Sequence, residues 1–219
     1  MAISAVIPTL NVAPTLPATL AALGPMAEIV LADGGSEDCT ARIGRDAGAV
    51  VLAGPRGRGR QLAAGVAAAS SDWLLLLHAD TRLTPDWRGA AFAHIRDHPD
   101  KAGYFRFALD SDDPRARRLE RFVAWRCRVF ALPYGDQGLL MHRDTLRAAG
   151  GMRELPLMED VDLIRRLGRG RLLALNAAAV TSAAKWERDG WYRRSARNLM
   201  CLSLWLLGVP VERIARMYG

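Results

Sequence analysis

Over its first 80 residues the chain alternates short apolar runs with segments whose apolar positions recur at helical spacing. The runs SAVIPTL (4–10), EIVLAD (28–33), AVVLAG (49–54) and WLLLLHAD (73–80) are short, mostly aliphatic and bounded by turn residues, so they read as strands. Between them, three helices are predicted: about 12–23 with Asn11 as its cap, about 36–47 with Ser36 as its cap, and 59–70. Strands alternating with helices are the signature of βαβ units feeding a parallel sheet. Three of the strands run directly into polar or glycine-rich stretches, PTLN, DGGSED and HADTR. Ligands of open α/β sheets bind beyond the carboxyl ends of the strands, so a site is expected where those stretches gather.

Beyond residue 85 the pattern changes. Residues 86–98 look helical, GYFRFAL (103–109) alternates at period two, and 114–132 reads as an amphipathic helix. The apolar stripe of that helix includes Leu119, Phe122, Val123, Cys127 and Phe130, while Arg115, Arg117, Arg118, Arg121, Arg126 and Arg128 outweigh Glu120. A turn-rich YGDQG, an acidic MEDVDL opening a helix, a strand-like LLALNAAAVTS and a helical tail complete the chain. No repeat or linker marks a boundary, so one domain over 1–219 is expected.

Composition narrows the class. Half of the 219 residues are apolar and 24% are charged, which excludes wholesale disorder. The three cysteines, Cys39, Cys127 and Cys201, are widely spaced and odd in number; neither a disulfide framework nor a zinc site is indicated, and a reducing cytoplasm suits them. MAISAVIPTL reads as a first strand rather than a signal peptide, and the longest nearly uncharged apolar run, 199–209, is too short to span a bilayer. A net charge of +7 favours anionic partners: phosphates, nucleic acid or an acidic membrane surface. No nucleic-acid-binding motif accompanies that charge, so a basic nucleic-acid-binding protein is the weaker alternative.

Several polar constellations could carry chemistry. ADGGSED places Asp33 at a strand end, with Gly34 allowing close backbone approach and a helix start beyond; a plain capped turn explains it equally well. GPRGRGRQ puts Arg58 and Arg60 among glycines at a helix start, where guanidinium forks and free N–H groups can receive phosphate. Asp80 emerges from a strand buried on both faces, and its carboxylate suits Mg²⁺ or Mn²⁺, with His78 either a further ligand or a hydrogen-bonded structural residue. MEDVDL offers Glu159, Asp160 and Asp162, which either favour the helix dipole, with Asp162 pairing to Arg166, or supply a general base. Asp136 and Gln137 lie between two glycines, in a turn that could orient a polyhydroxylated acceptor.

Taken in order, VIPTLN, VLADGGSEDCT, GRGRQLAAG, LLLHADT, GDQGLLM and LMEDVDLIRRL resemble the motifs of inverting family 2 glycosyltransferases with the GT-A fold. TSAAKWERDGW and the tail GVPVERIARMYG are similar to the small bacterial transferases described as radical-SAM/selenodomain-associated transferase 2. The resemblance implies an α/β fold with a mostly parallel sheet, a nucleotide-sugar-binding half over 1–84 and an acceptor half over 85–219. It further implies transfer of a sugar from a nucleoside diphosphate sugar, UDP above all, to an unknown hydroxyl acceptor that could be lipid-linked or hydrophobic. Pro8, Asp33 and Gly34 would then lie at the nucleoside, Arg58 and Arg60 near the base or diphosphate, and Asp80 in the metal-binding position. Asp160 would be the base with Glu159 beside it, and Asp136, Gln137, Trp186 and Arg188 would face the acceptor and donor sugar. His78-Ala79-Asp80 keeps one carboxylate where the family motif has two, and the QxxRW pattern of processive members is absent. A sugar-phosphate nucleotidyltransferase is the alternative within the same fold class. The arginine helix and the tryptophans of the tail further suggest peripheral contact with an anionic membrane.

Overall fold

The computed structural model describes residues 1–218. The first half runs β1 (Ile3–Thr9), α1 (Leu16–Leu23), β2 (Glu28–Asp33), α2 (Thr40–Asp46), β3 (Val50–Ala53), α3 (Arg58–Ala68), β4 (Trp73–Leu76) and β5 (Thr81–Leu83). The second half adds α4 (Trp87–Asp97), β6 (Ala102–Leu109), α5 (Pro114–Phe130), β7 (Leu139–His142), α6 (Arg143–Ala148), α7 (Glu159–Leu167), β8 (Leu172–Thr181), α8 (Ala184–Asp189), α9 (Trp191–Leu206) and α10 (Val211–Tyr218).

One eight-stranded sheet passes through both halves in the order β3-β2-β1-β4-β7-β6-β8-β5. The four strands of the first βαβ series are parallel to one another. Past β4 the sheet is mixed: β7 runs antiparallel to β4 and to β6, β8 is parallel to β6, and β5 closes the far edge antiparallel to β8.

β4 and β5 are consecutive in the chain yet four places apart in the sheet. Four strand spacings in a flat sheet are about 19 Å. Five residue steps from Leu76 to Thr81 reach at most roughly 17 Å when fully extended, and a turn closed by Thr81 N–H on the His78 carbonyl shortens that reach. The sheet is therefore curled, and residues 77–80 bridge its carboxyl edge.

The unbroken leucines of β4, with Leu77 just beyond its end, serve two cores. Leu75 and Leu77 face a layer with Ile7, Leu31, Leu16 and Trp87, on the side of α1 and α4. Leu74 and Leu76 face the other, with Val6, Val30, Leu62, Leu146 and Leu163, on the side of α3, α6 and α7. A strand buried on both faces has no polar alternation to show. A third cluster of Phe107, Val123, Cys127, Trp186 and Trp191 fastens α5 to α8 and α9.

Three sequence expectations are corrected at this level. Asn11 does not cap α1: it takes a left-handed φ of 51° and its side chain accepts from Glu37 N–H, tying two loops at the sheet edge together. Ser36 does not cap α2, which begins only at Thr40; its hydroxyl turns back to Asp33. The stripe of α5 is only partly covered, since Val123 and Cys127 are buried while Phe122 and Phe130 stay exposed, and Arg126 points inward.

Candidate active site

The carboxyl ends of β1 and β2 form the floor of a cleft. Gln61 on α3 donates through Nε2 to the carbonyls of Thr9 and Ala32, 2.7 Å each, pegging the start of that helix to both strands. Asp33 is buried and used up locally: its oxygens accept from the Thr9 hydroxyl at 2.9 Å, the Ser36 hydroxyl at 2.5 Å, and the N–H groups of Gly35 and Ser36. Burial alone would raise its pKa, but these hydrogen bonds outweigh it and hold the carboxyl below its usual range. Pro8, Thr9, Arg56, Arg58, Gln61 and Asp80 line the resulting cleft of about 290 Å³.

A smaller cavity of about 130 Å³ adjoins it, sharing Arg58, His78, Asp80 and Lys185. Asp160, Asp136, Tyr134, Trp186, Arg194 and Asn198 also line it. Asp160 stands in the first turn of α7, where its Oδ2 accepts from Gly135 N–H at 2.7 Å. Burial opposes its ionisation, yet Arg58, the Gly135 hydrogen bond and His78 together keep its pKa below the usual carboxylate range. His78 is also pushed down, to about 4, by burial and by Arg58, which for an imidazole favours the neutral form. A neutral imidazole and an ionised Asp160 are thus the forms present at neutral pH.

Asp136 is held up at about 6 by burial, with Asp160 and Asp80 adding like charge and Arg126 opposing. Its Oδ1 has no hydrogen-bond partner among the described residues. Asp80 pairs with Lys185 Nζ at 2.7 Å, and this attraction outweighs a burial effect that would raise its pKa. Glu159 is fully buried and ion-paired with Arg58 Nε. It faces the interior rather than the cavity and steadies the guanidinium that does face it.

The expected site residues therefore divide. Pro8, Arg58, His78, Asp80, Asp136, Asp160 and Trp186 come together around the two cavities. Gly34 packs over the Gln61 side chain, where an added Cβ would come within 3.1 Å. Arg60 points away and faces Glu154 at 3.7 Å. Arg188 pairs with Asp189 on the outside of α8, its side chain 73% exposed. Gln137 is an internal peg: its Nε2 donates to the Phe105 carbonyl, and its Oε1 accepts from Arg126, Cys127 and Tyr134 N–H.

Sequence reasoning missed Lys185, Tyr134, Arg194 and Asn198. Lys185 sat unremarked beside Trp186 in a quoted motif, and Arg194 and Asn198 are four apart on one face of α9, a spacing that would have linked them. Arg194 lies over the Trp186 ring at 5.2 Å and pairs with Asp189 at 2.7 Å, bracing α8 against α9.

The donor set suits a hard divalent cation in part. Asp80 presents a carboxylate that already draws a cationic partner, and neutral His78 lines the same two cavities. Mg²⁺ and Mn²⁺ are commonly held by one or two protein carboxylates, with water and phosphate oxygens completing the shell. No group of three or more His, Cys, Asp or Glu side chains placed to hold a metal ion occurs among the described residues.

A Rossmann-like half leading into a curled mixed sheet, with an acidic and basic cavity at its carboxyl edge, defines the GT-A class of glycosyltransferase architecture. The family model for glycosyl transferase family 2 matches residues 4–153, and the chain belongs to that family. The fold is similar to residues 1–349 of S. aureus TarS in complex with UDP, with TM-score 0.64 and 17% identity over 83% of this chain and 60% of that one. TarS in complex with UDP-GlcNAc matches with the same TM-score at 16% identity, over 83% of this chain and 58% of that one. Glucosyl-3-phosphoglycerate synthase from Mycobacterium tuberculosis, in complex with Mn²⁺, UDP and glucosyl-3-phosphoglycerate, aligns with TM-score 0.55 and 19% identity, over 83% of this chain and 70% of that one. The chain thus spans about 60% of the TarS fragment. No curated protein matches the sequence.

Proposed function

We propose that this protein is an inverting transferase that moves a sugar from a nucleoside diphosphate sugar, with UDP as the nucleotide, to a hydroxyl acceptor. The observation that carries this reading is the convergence of Asp160, Asp80, Arg58 and Lys185 on one cavity, beside a cleft at the ends of β1 and β2. The UDP and UDP-GlcNAc complexes of TarS support the choice of nucleotide.

In a single displacement at the anomeric carbon, one face needs a base and the other needs charge to receive the departing diphosphate. Asp160, ionised at neutral pH, takes the proton of the attacking hydroxyl. Gly135 N–H fixes the orientation of its carboxylate. Arg58, held from below by Glu159, and Lys185, held by Asp80, turn positive charge toward the leaving oxygens. A diphosphate drawing on Arg58 also relieves the strongest opposition to protonation of Asp160 and raises its basicity where that is needed. A divalent cation would be held by Asp80, with His78 beside it, and when bound it would supply Lewis-acid stabilisation of the diphosphate.

Thermal shift across nucleoside diphosphates and their sugars, with and without Mn²⁺, tests the donor assignment; UDP is expected to give the largest rise. Asp160→Asn should lower turnover by about 10²- to 10⁴-fold, the usual worth of a general base, while the UDP shift persists. Turnover equal to that of the unmodified protein would remove Asp160 from the role.

A further inference from the structure

A further cavity lies outside the cleft and is mostly apolar. It has a volume of about 570 Å³ and runs between α5 and α9. Leu119, Phe122 and Trp125 form one wall, and Leu199, Leu202 and Leu206 form the other. Much of this surface is open to solvent: Phe122 is 47% exposed, Leu199 53% and Leu206 51%. Contiguous exposed apolar surface of this kind commonly marks a binding site.

The groove does not end on the surface. Tyr134, Asp136, Trp186 and Asn198 line its inner end and also line the cavity that contains Asp160 and Asp80. The orphaned Oδ1 of Asp136 belongs to that junction. The Arg126 guanidinium stacks over the Tyr134 ring there, 3.5 Å from its centroid, and forms part of the wall of the junction.

Building on the transferase reading above, we propose that this groove seats the hydrocarbon chain of an amphiphilic acceptor, whose hydroxyl head lies at the Asp136 end within reach of Asp160. An elongated apolar trough that closes on an unpartnered carboxylate oxygen complements a molecule with a long apolar body and one polar end. A sugar or peptide acceptor would instead need hydrogen-bonding groups all along the trough, whereas its lining is mostly leucine, phenylalanine and tryptophan, with Arg126, Arg165 and Ser195 as polar exceptions beyond the residues of its inner end. The acceptor is thus lipid-like, and the aliphatic chain sets its affinity. The Asp136 oxygen faces the polar head, while the attacking hydroxyl directs its one hydrogen to Asp160.

Monomeric n-alkanols from hexanol to decanol are the probe, titrated against the full chain and followed by tryptophan emission and thermal shift, with UDP and Mn²⁺ tested in the same samples. Affinity is expected to rise roughly fourfold per added methylene, the equivalent of about 0.8 kcal/mol each. Phe122→Asp and Leu199→Asp, both at exposed positions, should abolish that rise while leaving the UDP shift intact. A UDP shift with no dependence on chain length, or a dependence that survives both substitutions, overturns the groove assignment and leaves the donor reading standing. Absence of any UDP shift overturns the donor reading itself. If the unmodified chain is a dimer that Phe122→Asp dissociates, and alkanols do not bind, the groove belongs to a second copy of the chain and the proposal fails.

Discussion

Gly135 sits where no other residue fits. A Cβ there would stand 2.7 Å from His78 Nε2 and 3.1 Å from Asp160 Oδ2, both inside contact distance. Gly135→Ala is therefore expected to part His78 from Asp160 and to lower turnover at least tenfold, while the melting temperature falls by only a few degrees, as for a cost of about 1 kcal/mol. Steady-state rates and a melting curve on the same preparation check both halves. Asp136 offers a second test, through its raised pKa. Its unfolded value is 3.8 and its folded value about 6, so the native state holds the extra proton between those limits and loses stability as pH rises through 6. Asp136→Asn should gain about 1–3 kcal/mol at pH 7, and the gain should vanish by pH 4; denaturant midpoints of both proteins across that range measure it. At this scale the sequence was legible in placement: Asp80, just past a strand, and Asp160, in the first turn of a helix, both line the cavity. It was misleading where a polar side chain was recruited to hold the backbone. Gln137 and Asp33 look like ligand-binding residues in the sequence, and in the structure both spend hydrogen bonds on tying their loops to the surrounding strands and helix. Nothing local distinguishes the two uses, because the partners of Gln137 include the Phe105 carbonyl 32 positions away.

Helix α8 is six residues long, and its orientation decides which side chains reach the cavity. Trp186 points in, Lys185 reaches Asp80, and Arg188 faces solvent. Choosing Trp186 and Arg188 from the KWER motif required a helical phase that four residues do not reveal. The long elements were easier. Helices α3 and α5 lie within two residues of their expected bounds because their patterns persist over many positions, whereas β4 ends at Leu76, four residues short of its expected end at Asp80. Helix starts failed at Asn11 and Ser36, since a capping residue can also bond across loops, and tertiary partners won at both places. The placement of α8 makes its own prediction. Lys185→Met removes a charge-assisted donor from the diphosphate side of the cavity, a contact of about 1.5–3 kcal/mol. UDP affinity measured by calorimetry should fall roughly ten- to hundredfold, whereas Arg188→Met should leave it unchanged.

For the whole molecule, the parallel first half could be read from strand and helix alternation, but the strand order beyond β4 could not. Antiparallel insertion of β7, and closure of the far edge by β5, depend on pairings between residues up to 100 positions apart, such as Thr81 with Thr181. That closure curls the sheet and brings residues of both halves to one edge. The same assembly aligns α5 and α9 so that arginines and apolar side chains share a surface. Arg118, Arg121 and Arg128 are exposed on α5, beside Phe122, Trp125 and Phe130, and Leu206 and Leu207 are exposed at the end of α9. No helix among the described residues is long and apolar enough to cross a membrane. With a net charge of +7, this face has the composition of one that rests on an anionic bilayer, where each basic side chain near the surface adds about 1 kcal/mol. A chain drawn from such a bilayer would enter the groove from its open side. We therefore predict co-sedimentation with vesicles containing phosphatidylserine at low ionic strength, and release as salt shortens the Debye length. Reversing Arg118, Arg121 and Arg128 to glutamate should abolish sedimentation at every salt concentration, without altering the UDP-induced rise in melting temperature. Binding that persists in the triple variant would separate membrane contact from this helix.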